Sequence, residues 1–406
     1  MKTGIALNNM KILVVSQYYY PEPFRINDIC EELVQRGHDV TVLTGIPNYP
    51  DGFIYKGYEK GRKEEIINGV KVLRCKIRPR KQGSFNLLLN YISFWIRSRF
   101  LIRMLPNSFD VVYSYQLSPI TSCSAACWYS KKYNKPHFLY CLDLWPESII
   151  ENVSPHSIIY KLIARLSKSI YSKADIIGVT SPSFINYLSS LINWPREKFV
   201  YIPQHALDIA PQSKVERHNH LIIVFTGNIG ASQNLDVLVD AVNNVKNEKG
   251  FEVIIVGSGS DLERLKRKVK KLGLEHLITF TGRQPKEKMK EYYSLADFCF
   301  LSLRDEGAVS WTIPGKLQEY MSASKPVLAA INGDAKFVID DANCGVCVGC
   351  NDVLGLSNAL VYYSNEKKSL KLFGENARSY YVSHFTLRNH VDSLELELER
   401  LCNKNL

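Results

Sequence analysis

Residues 221–230 read Leu221-Ile222-Ile223-Val224-Phe225-Thr226-Gly227-Asn228-Ile229-Gly230, an unbroken apolar run that stops at a glycine turn. A strand with one face in water alternates apolar and polar residues. A continuous run instead predicts a strand covered on both faces, as in a parallel sheet flanked by helices. After the turn comes Asn234, which the pattern places as the cap of an apolar-periodic helix beginning Leu235-Asp236-Val237-Leu238-Val239. Further runs at Phe251–Val256, Leu277–Thr281, Phe298–Ser302, Pro326–Ala330 and Gly345–Val348 predict a doubly wound α/β domain for the second half of the chain.

The same alternation precedes it. Strand-length runs stand at Lys11–Ser16, Val40–Leu43, Val70–Arg74, Val111–Ser114, His137–Leu142 and Ile176–Thr180, with helix-length segments between them such as Ile26–Arg36, stopped by Gly37. A chain of 406 residues is long for one core, so two Rossmann-like domains are expected, 1–210 and 211–406. The stretch Val200–Asp208 and the polar, proline-bearing residues to about His220 read as the last strand of the first domain and a linker. Two such domains are expected to face a central cleft, with ligands outside the carboxyl ends of the strands. The last helices are expected to pack back towards the first domain.

A hydrophobic fraction of 46% and a charged fraction of 22% are those of a globular protein. Ten cysteines scattered mostly in apolar runs do not form a disulfide framework, which points to a reducing cytoplasm. Met10–Ser16 reads as a first strand rather than a signal peptide, and the nine residues ahead of it read as an unstructured lead-in. The net charge of +11 is uneven: residues 1–210 hold 26 Lys and Arg against 16 Asp and Glu, whereas 211–406 hold 25 against 24. Residues 60–103 alone carry 12 Lys and Arg and only Glu64 and Glu65. No nucleic-acid recognition motif accompanies this basic patch, so nucleic acid is not expected as a partner.

Three turns suit a phosphate. Gly227, Asn228 and Gly230 precede one helix, and Gly257-Ser258-Gly259 precede another. The second lacks the third glycine and downstream acidic residue of a dinucleotide site, which argues against NAD. In Ile313-Pro314-Gly315-Lys316-Leu317-Gln318-Glu319, Pro314 and Gly315 start a helix, with Lys316 in its first turn and Glu319 one turn on. That offers a cation for a diphosphate and a carboxylate for ribose hydroxyls. Cys344, Cys347 and Cys350 are spaced as metal ligands, but no fourth ligand lies nearby and no metal is expected.

These motifs resemble, in order and over nearly the whole chain, the family-4 glycosyltransferases of the two-Rossmann-domain (GT-B) type. They are Arg36-Gly37-His38-Asp39-Val40-Thr41-Val42, Tyr201-Ile202-Pro203, Thr226–Gly230, Val256–Gly259, Phe280-Thr281-Gly282-Arg283 and Glu319–Val327. More narrowly, Ser16–Asp28, Pro47-Asn48-Tyr49-Pro50, Asp143-Leu144-Trp145-Pro146-Glu147 and Ile313–Lys316 resemble the bacterial L-fucosamine (FucNAc) transferases of surface-polysaccharide assembly. The resemblance assigns Glu319 to the ribose, Gly315 and Lys316 to the diphosphate, and the Gly282–Arg283 turn to the nucleobase. It implies retention of configuration without a metal or other cofactor.

The chain departs from the broader family at three points. Trp311 stands where a first glutamate is usual, Asn228 and Gln233 replace an arginine and a lysine, and Phe24-Arg25 replace a glycine pair. Lys316, Arg304 and Arg25 are therefore the residues expected to meet the diphosphate charge. Asp143, placed after a strand where the family has a histidine, and Glu147 are the candidates for taking the acceptor proton or holding a sugar hydroxyl.

Residues 85–105, FNLLLNYISFWIRSRFLIRML, are too interrupted to span a bilayer but suit a segment lying flat on one. Phe94 and Trp95 are expected at the headgroup boundary and Arg97, Arg99 and Arg103 on anionic lipid. The expected function is transfer from a UDP-sugar to a polyprenyl-diphosphate-linked saccharide by a protein peripheral to the inner face of the cytoplasmic membrane. A sugar-nucleotide epimerase and a non-catalytic peripheral membrane binding protein are the alternatives, which product formation separates.

Overall fold

In a computed structural model, residues 9–61, 63–81, 83–150, 153–209 and 220–403 are described. The chain forms two compact units. One runs to Ile202 and takes back the chain from His390, and the other is Pro203–Asn389.

The first unit contains β1 (Lys11–Val15), α1 (Ile26–Gln35), β2 (Asp39–Gly45), β3 (Lys63–Ile67), β4 (Val70–Cys75), α2 (Ser84–Ile102), β5 (Val111–Gln116), α3 (Ser124–Tyr133), β6 (His137–Cys141), α4 (Ile158–Tyr171), β7 (Ile176–Val179), α5 (Ser183–Ile192) and β8 (Phe199–Tyr201). Its eight-stranded sheet has the order β3-β4-β2-β1-β5-β6-β7-β8. Every pairing is parallel except that of β3, an exposed charged edge strand, with β4. Strand order reverses between β1 and β5, so the turns after these strands open onto one crevice.

One core layer joins Leu13, Val15, Leu43 and Val112 of the sheet to Phe94, Leu101 and Ile102 of α2 and to Ala125, Ala126 and Tyr129 of α3. This corrects the expectation for Phe94. Phe94 is fully buried, and Trp95 is partly buried with its indole nitrogen sealed from solvent. At about 100° per residue, Phe94, Ser98, Leu101 and Ile102 make the inward face. The outward face carries Phe85, Leu88, Ile92, Ile96 and Phe100, all exposed, together with exposed Arg97; Arg99 is half-buried. Just beyond the helix, the exposed Arg103 guanidinium stacks near Phe100 and Trp128. Among the described residues no helix is long and apolar enough to cross a membrane.

The second unit contains β9 (Leu221–Thr226), α6 (Asp236–Asn244), β10 (Phe251–Val256), α7 (Leu262–Leu272), β11 (Ile278–Gly282), α8 (Met289–Leu295), β12 (Phe298–Ser302), α9 (Gly315–Ser322), β13 (Val327–Ala330), α10 (Gly333–Asp341), β14 (Gly345–Val348), α11 (Val353–Asn365) and α12 (Lys368–His384). Its six strands are all parallel in the order β11-β10-β9-β12-β13-β14, so the switch point lies between β9 and β12. A last helix, α13 (Leu387–Asn403), enters the first unit at His390. There Glu395 meets both Arg36 Nη1 (2.8 Å) and His38 Nε2 (2.7 Å), and the His390 ring lies edge-on to Tyr140.

The unit boundary therefore differs from a division after residue 210. Ile202 is the last residue whose amide joins the first sheet, donating to Val179 O, while the Ala206 amide donates to Phe385 O in the second unit. Residues 210–219, most of the expected linker, and residues 1–8 of the expected lead-in lie outside the described residues. Asn234 also does not cap α6: it closes the 3-10 turn Ala231–Gln233 in a left-handed conformation (φ 50°), and its side-chain amide donates to Cys350 O and Asn351 Oδ1. Helix α6 starts two residues later without a side-chain cap.

Candidate active site

In the second unit the turn after β9 and the start of α9 converge on Lys316. Pro314, with extended backbone, stands just outside α9 and Gly315 opens it, so Lys316 lies in a first turn that no side chain caps. Its ammonium donates to Gln233 Oε1 (2.5 Å) and sits 3.9 Å from the centre of the Phe225 ring. Gly227 touches it from the third side, because a Cβ there would come within 2.6 Å of Lys316 Cε. Burial pushes the Lys316 pKa down to about 7, and the nearby Glu319 carboxylate only partly opposes this. A cation held in the first turn of a helix is unfavourably placed with respect to the helix dipole. An anion bound there relieves both penalties.

The other expected residues are distributed around this centre. Arg304, at the end of β12, donates its backbone amide to Ser232 O (3.0 Å) in the loop after Gly230, and Ser302 Oγ donates to Gln233 O (2.5 Å). This brings Arg304, Gln233, Asn228 and Lys316 to one loop. Arg304 has an ion-pair partner in Glu306 at 3.9 Å. Arg283 is exposed and follows Gly282, whose carbonyl accepts from the Gly257 amide (2.9 Å). Behind Glu319, the hydroxyls of Tyr293 and Tyr320 meet Thr226 Oγ1 (3.2 and 3.4 Å), a buried hub.

The glycines divide between two tasks. A Cβ on Gly257 would lie 1.8 Å from Gly227 O, and one on Gly259 2.2 Å from Ile229 O. The second glycine turn thus exists to let two backbones stack, while the first makes room for Lys316. Cys344, Cys347 and Cys350 each face a different backbone or side-chain neighbour. No group of three or more His, Cys, Asp or Glu that could hold a metal occurs among the described residues.

In the first unit Asp143 follows β6. Its two carboxylate oxygens accept from the Ser118 and Ser148 hydroxyls, and Trp145 Nε1 donates to Ser118 Oγ (3.0 Å). Burial raises the Asp143 pKa against the pull of these donors. Glu147 opens a short 3-10 turn, and one of its oxygens accepts from both Tyr160 OH (2.8 Å) and Tyr187 OH (2.7 Å). Neither carboxylate caps a helix. Arg25 stands at the start of α1, where its charge opposes the rise in pKa of buried Tyr115 and Tyr140.

Two sequence-family models match adjoining parts of the chain: a glycosyl transferase 4-like domain over residues 24–205 and glycosyl transferases group 1 over 208–380. The chain is a glycosyltransferase. It is 29% identical over 241 residues to a probable glycosyltransferase, WbjE, of Pseudomonas aeruginosa, a match spanning 54% of this chain and 57% of that one. A similar match, 28% over 225 residues (54% and 58%), is to a Campylobacter jejuni protein. That protein is named GalNAc-alpha-(1->4)-GalNAc-alpha-(1->3)-diNAcBac-PP-undecaprenol alpha-1,4-N-acetyl-D-galactosaminyltransferase. The fold is that of Anabaena HepE, solved in complex with UDP, at a TM-score of 0.70 and 15% identity over 96% of this chain and all of that one. Two parallel-sheet domains of this kind make the transferase a GT-B protein.

The transferase also holds a buried carboxylate that the sequence does not mark. Glu22 is fully buried; one of its oxygens accepts from the Asn48 and Tyr49 amides (2.8 and 2.7 Å), and the other has no partner among the described residues. It fixes the loop that carries Tyr49 against the stacked rings of Tyr18 and Phe24. Burial raises its pKa from 4.5 to about 7. The native state therefore binds this proton more tightly than the unfolded chain. The resulting stability is complete below about pH 4.5 and lost as pH rises to about 7, a swing of about 3 kcal/mol. Urea midpoints of Glu22→Gln should lack this part of the wild-type pH dependence; parallel curves would show that Glu22 does not titrate in that window.

Proposed function

We propose that this glycosyltransferase moves a sugar from a UDP-sugar to a polyprenyl-diphosphate-linked saccharide in bacterial surface-polysaccharide synthesis, at the inner face of the cytoplasmic membrane. The donor sugar in this reading is an N-acetylated amino sugar such as L-FucNAc. Transfer retains the anomeric configuration and requires no metal.

The observation that carries the reading is the buried Lys316, held between Gln233, Phe225 and Gly227 at an uncapped helix start. Such a group has little use without an anion. As the bond between the sugar and the nucleotide breaks, negative charge grows on the departing diphosphate, and Lys316 with Arg304 meets it without reorganising. Glu319, one turn along α9, accepts from the ribose hydroxyls. The UDP in the HepE structure and the undecaprenol-linked substrate in the name of the Campylobacter relative support the choice of donor and acceptor classes. On the acceptor side, Asp143 and Glu147 are held by hydroxyl donors in poses suited to receiving a proton or a sugar hydroxyl. The exposed apolar stripe of α2, beside Arg97, Arg99 and Arg103, supports the membrane surface as a partner.

Thermal unfolding with UDP, GDP and NAD, each with and without a chelator, tests the donor site. A ligand at about 100 times its dissociation constant adds about 2.7 kcal/mol of stability. UDP should stabilise the protein, the effect should survive chelation, and Glu319→Ala should abolish it. Stabilisation by GDP alone would replace the uridine donor, and dependence on a divalent cation would overturn metal-free transfer.

A further inference from the structure

A crevice of about 190 Å³ lies on the helical face of the first unit, where α2, α3 and α4 meet. Its walls include the rings of Trp95 and Trp128, and its rim carries Arg99, Lys131 and Lys173. No carboxylate lines it among the described residues. None of the three cations is in an ion pair among the described residues, so the crevice concentrates uncompensated charge beside aromatic surface. Trp95 Nε1 and Ser124 Oγ, which belong to two of the wall residues, are sealed from solvent and have no partner among the described residues.

An adjoining hollow shares Lys131 and Lys173 and adds Lys135. Its single carboxylate, Asp175, already accepts from the His137 amide (2.8 Å). Lys135 precedes β6 and Lys173 precedes β7, so these cations gather at the amino ends of the strands, whereas Asp143 follows the carboxyl end of β6. The crevice is thus separate from the candidate acceptor residues.

Exposed apolar side chains flank it on both helices. α2 presents Ile96 and Phe100, 47% and 60% exposed, and the first turns of α4 present Ile158, Ile159 and Leu162, all more than half exposed. A soluble anion would use the cations and leave these side chains in water. A phosphate whose diester tail continues into hydrocarbon uses both.

We propose that this crevice binds the phosphate of an anionic membrane lipid, with the α2 and α4 stripes resting in the bilayer surface around it. The proposal rests on the reading of the transferase as a peripheral membrane protein and adds to it a defined headgroup site. The small volume favours a compact phosphate over a headgroup that carries a further charged substituent.

The full chain is tested by flotation with vesicles of phosphatidylcholine alone, of phosphatidylcholine with phosphatidic acid, and of phosphatidylcholine with phosphatidylserine at matched surface potential. Wild type should prefer phosphatidic acid at equal potential. Lys131→Ala/Lys173→Ala should erase that preference and weaken binding by roughly tenfold or more. The control Lys161→Ala/Arg165→Ala, which removes equal charge from α4 outside the crevice, should keep the preference. All four positions are exposed, and unchanged thermal midpoints would show that folding is intact. Equal losses in both double variants with no headgroup preference would overturn the site and leave the membrane reading standing. Failure of wild type to float with any anionic vesicle would overturn both. Saturable quenching of tryptophan fluorescence by inorganic phosphate, without vesicle binding, would reassign the crevice to a soluble anion.

Discussion

Replacing Lys316 with methionine is expected to lower turnover at saturating donor by roughly a hundred- to a thousandfold, the usual cost of removing one preorganised group from developing charge. Methionine keeps most of the volume between Gly227 and Phe225, so the loss reports the ammonium rather than a cavity. Initial rates with donor in excess measure it; a change confined to the donor KM would assign Lys316 to ground-state binding alone.

The same residue should leave two marks on pH dependence. With a pKa of about 7 in the free protein, the amine takes up a proton when a diphosphate binds. UDP affinity should therefore weaken as pH rises above about 7, and calorimetric enthalpies should depend on the buffer's own ionisation heat. For stability the sign is opposite to that of a salt-bridged lysine. Because the folded pKa is depressed, the unfolded chain binds more protons between about pH 7 and 10.5, and the penalty eases as pH rises through that window. At neutral pH the methionine variant should thus be at least as stable as wild type while being a far poorer catalyst.

The second large effect is on folding. Gly257→Ala places a methyl group 1.8 Å from the Gly227 carbonyl oxygen at a residue with φ +148°, where both the sterics and the backbone conformation forbid it. We expect destabilisation on the order of 4 kcal/mol or more. Gly273→Ala is the matched control: its φ is also positive, at +69°, but a Cβ there meets nothing within 4 Å. It should cost about 1 kcal/mol. Denaturant unfolding of the two variants compares them directly; equal losses would mean that the turn relaxes and the stacking is not essential.

Much of this architecture was legible because parallel strands buried on both faces write themselves as unbroken apolar runs. Leu221–Thr226 and Phe298–Ser302 are such strands, and the glycine turn and α9 follow where the pattern puts them. Strand β3 was not legible: Lys63-Glu64-Glu65-Ile66-Ile67 is a charged edge with little to bury. Phe94 turns inward, against the expectation, because composition shows that a helix is basic and apolar, but the partner decides which apolar face is covered. The Pro314-Gly315-Lys316 start was visible in the chain. The pairing of Lys316 with Gln233 and Phe225 was not, since it depends on how α9 packs against β9 from some ninety residues away. Glu22 escaped for a similar reason: only the return of the Asn48–Tyr49 loop makes it a buried clamp.

The course of α13 has a consequence for biosynthesis. His390, Val391, Leu394, Leu398 and Leu401 are buried, and the ties of Glu395 to Arg36 and His38 join the first unit to a helix made after the second unit is complete. On the ribosome the first sheet can assemble early, yet one of its covering helices arrives only after nearly two hundred intervening residues have been translated. The earliest sequence to emerge is thus among the last to be finished, and its unclosed surface is where a chaperone would have reason to wait.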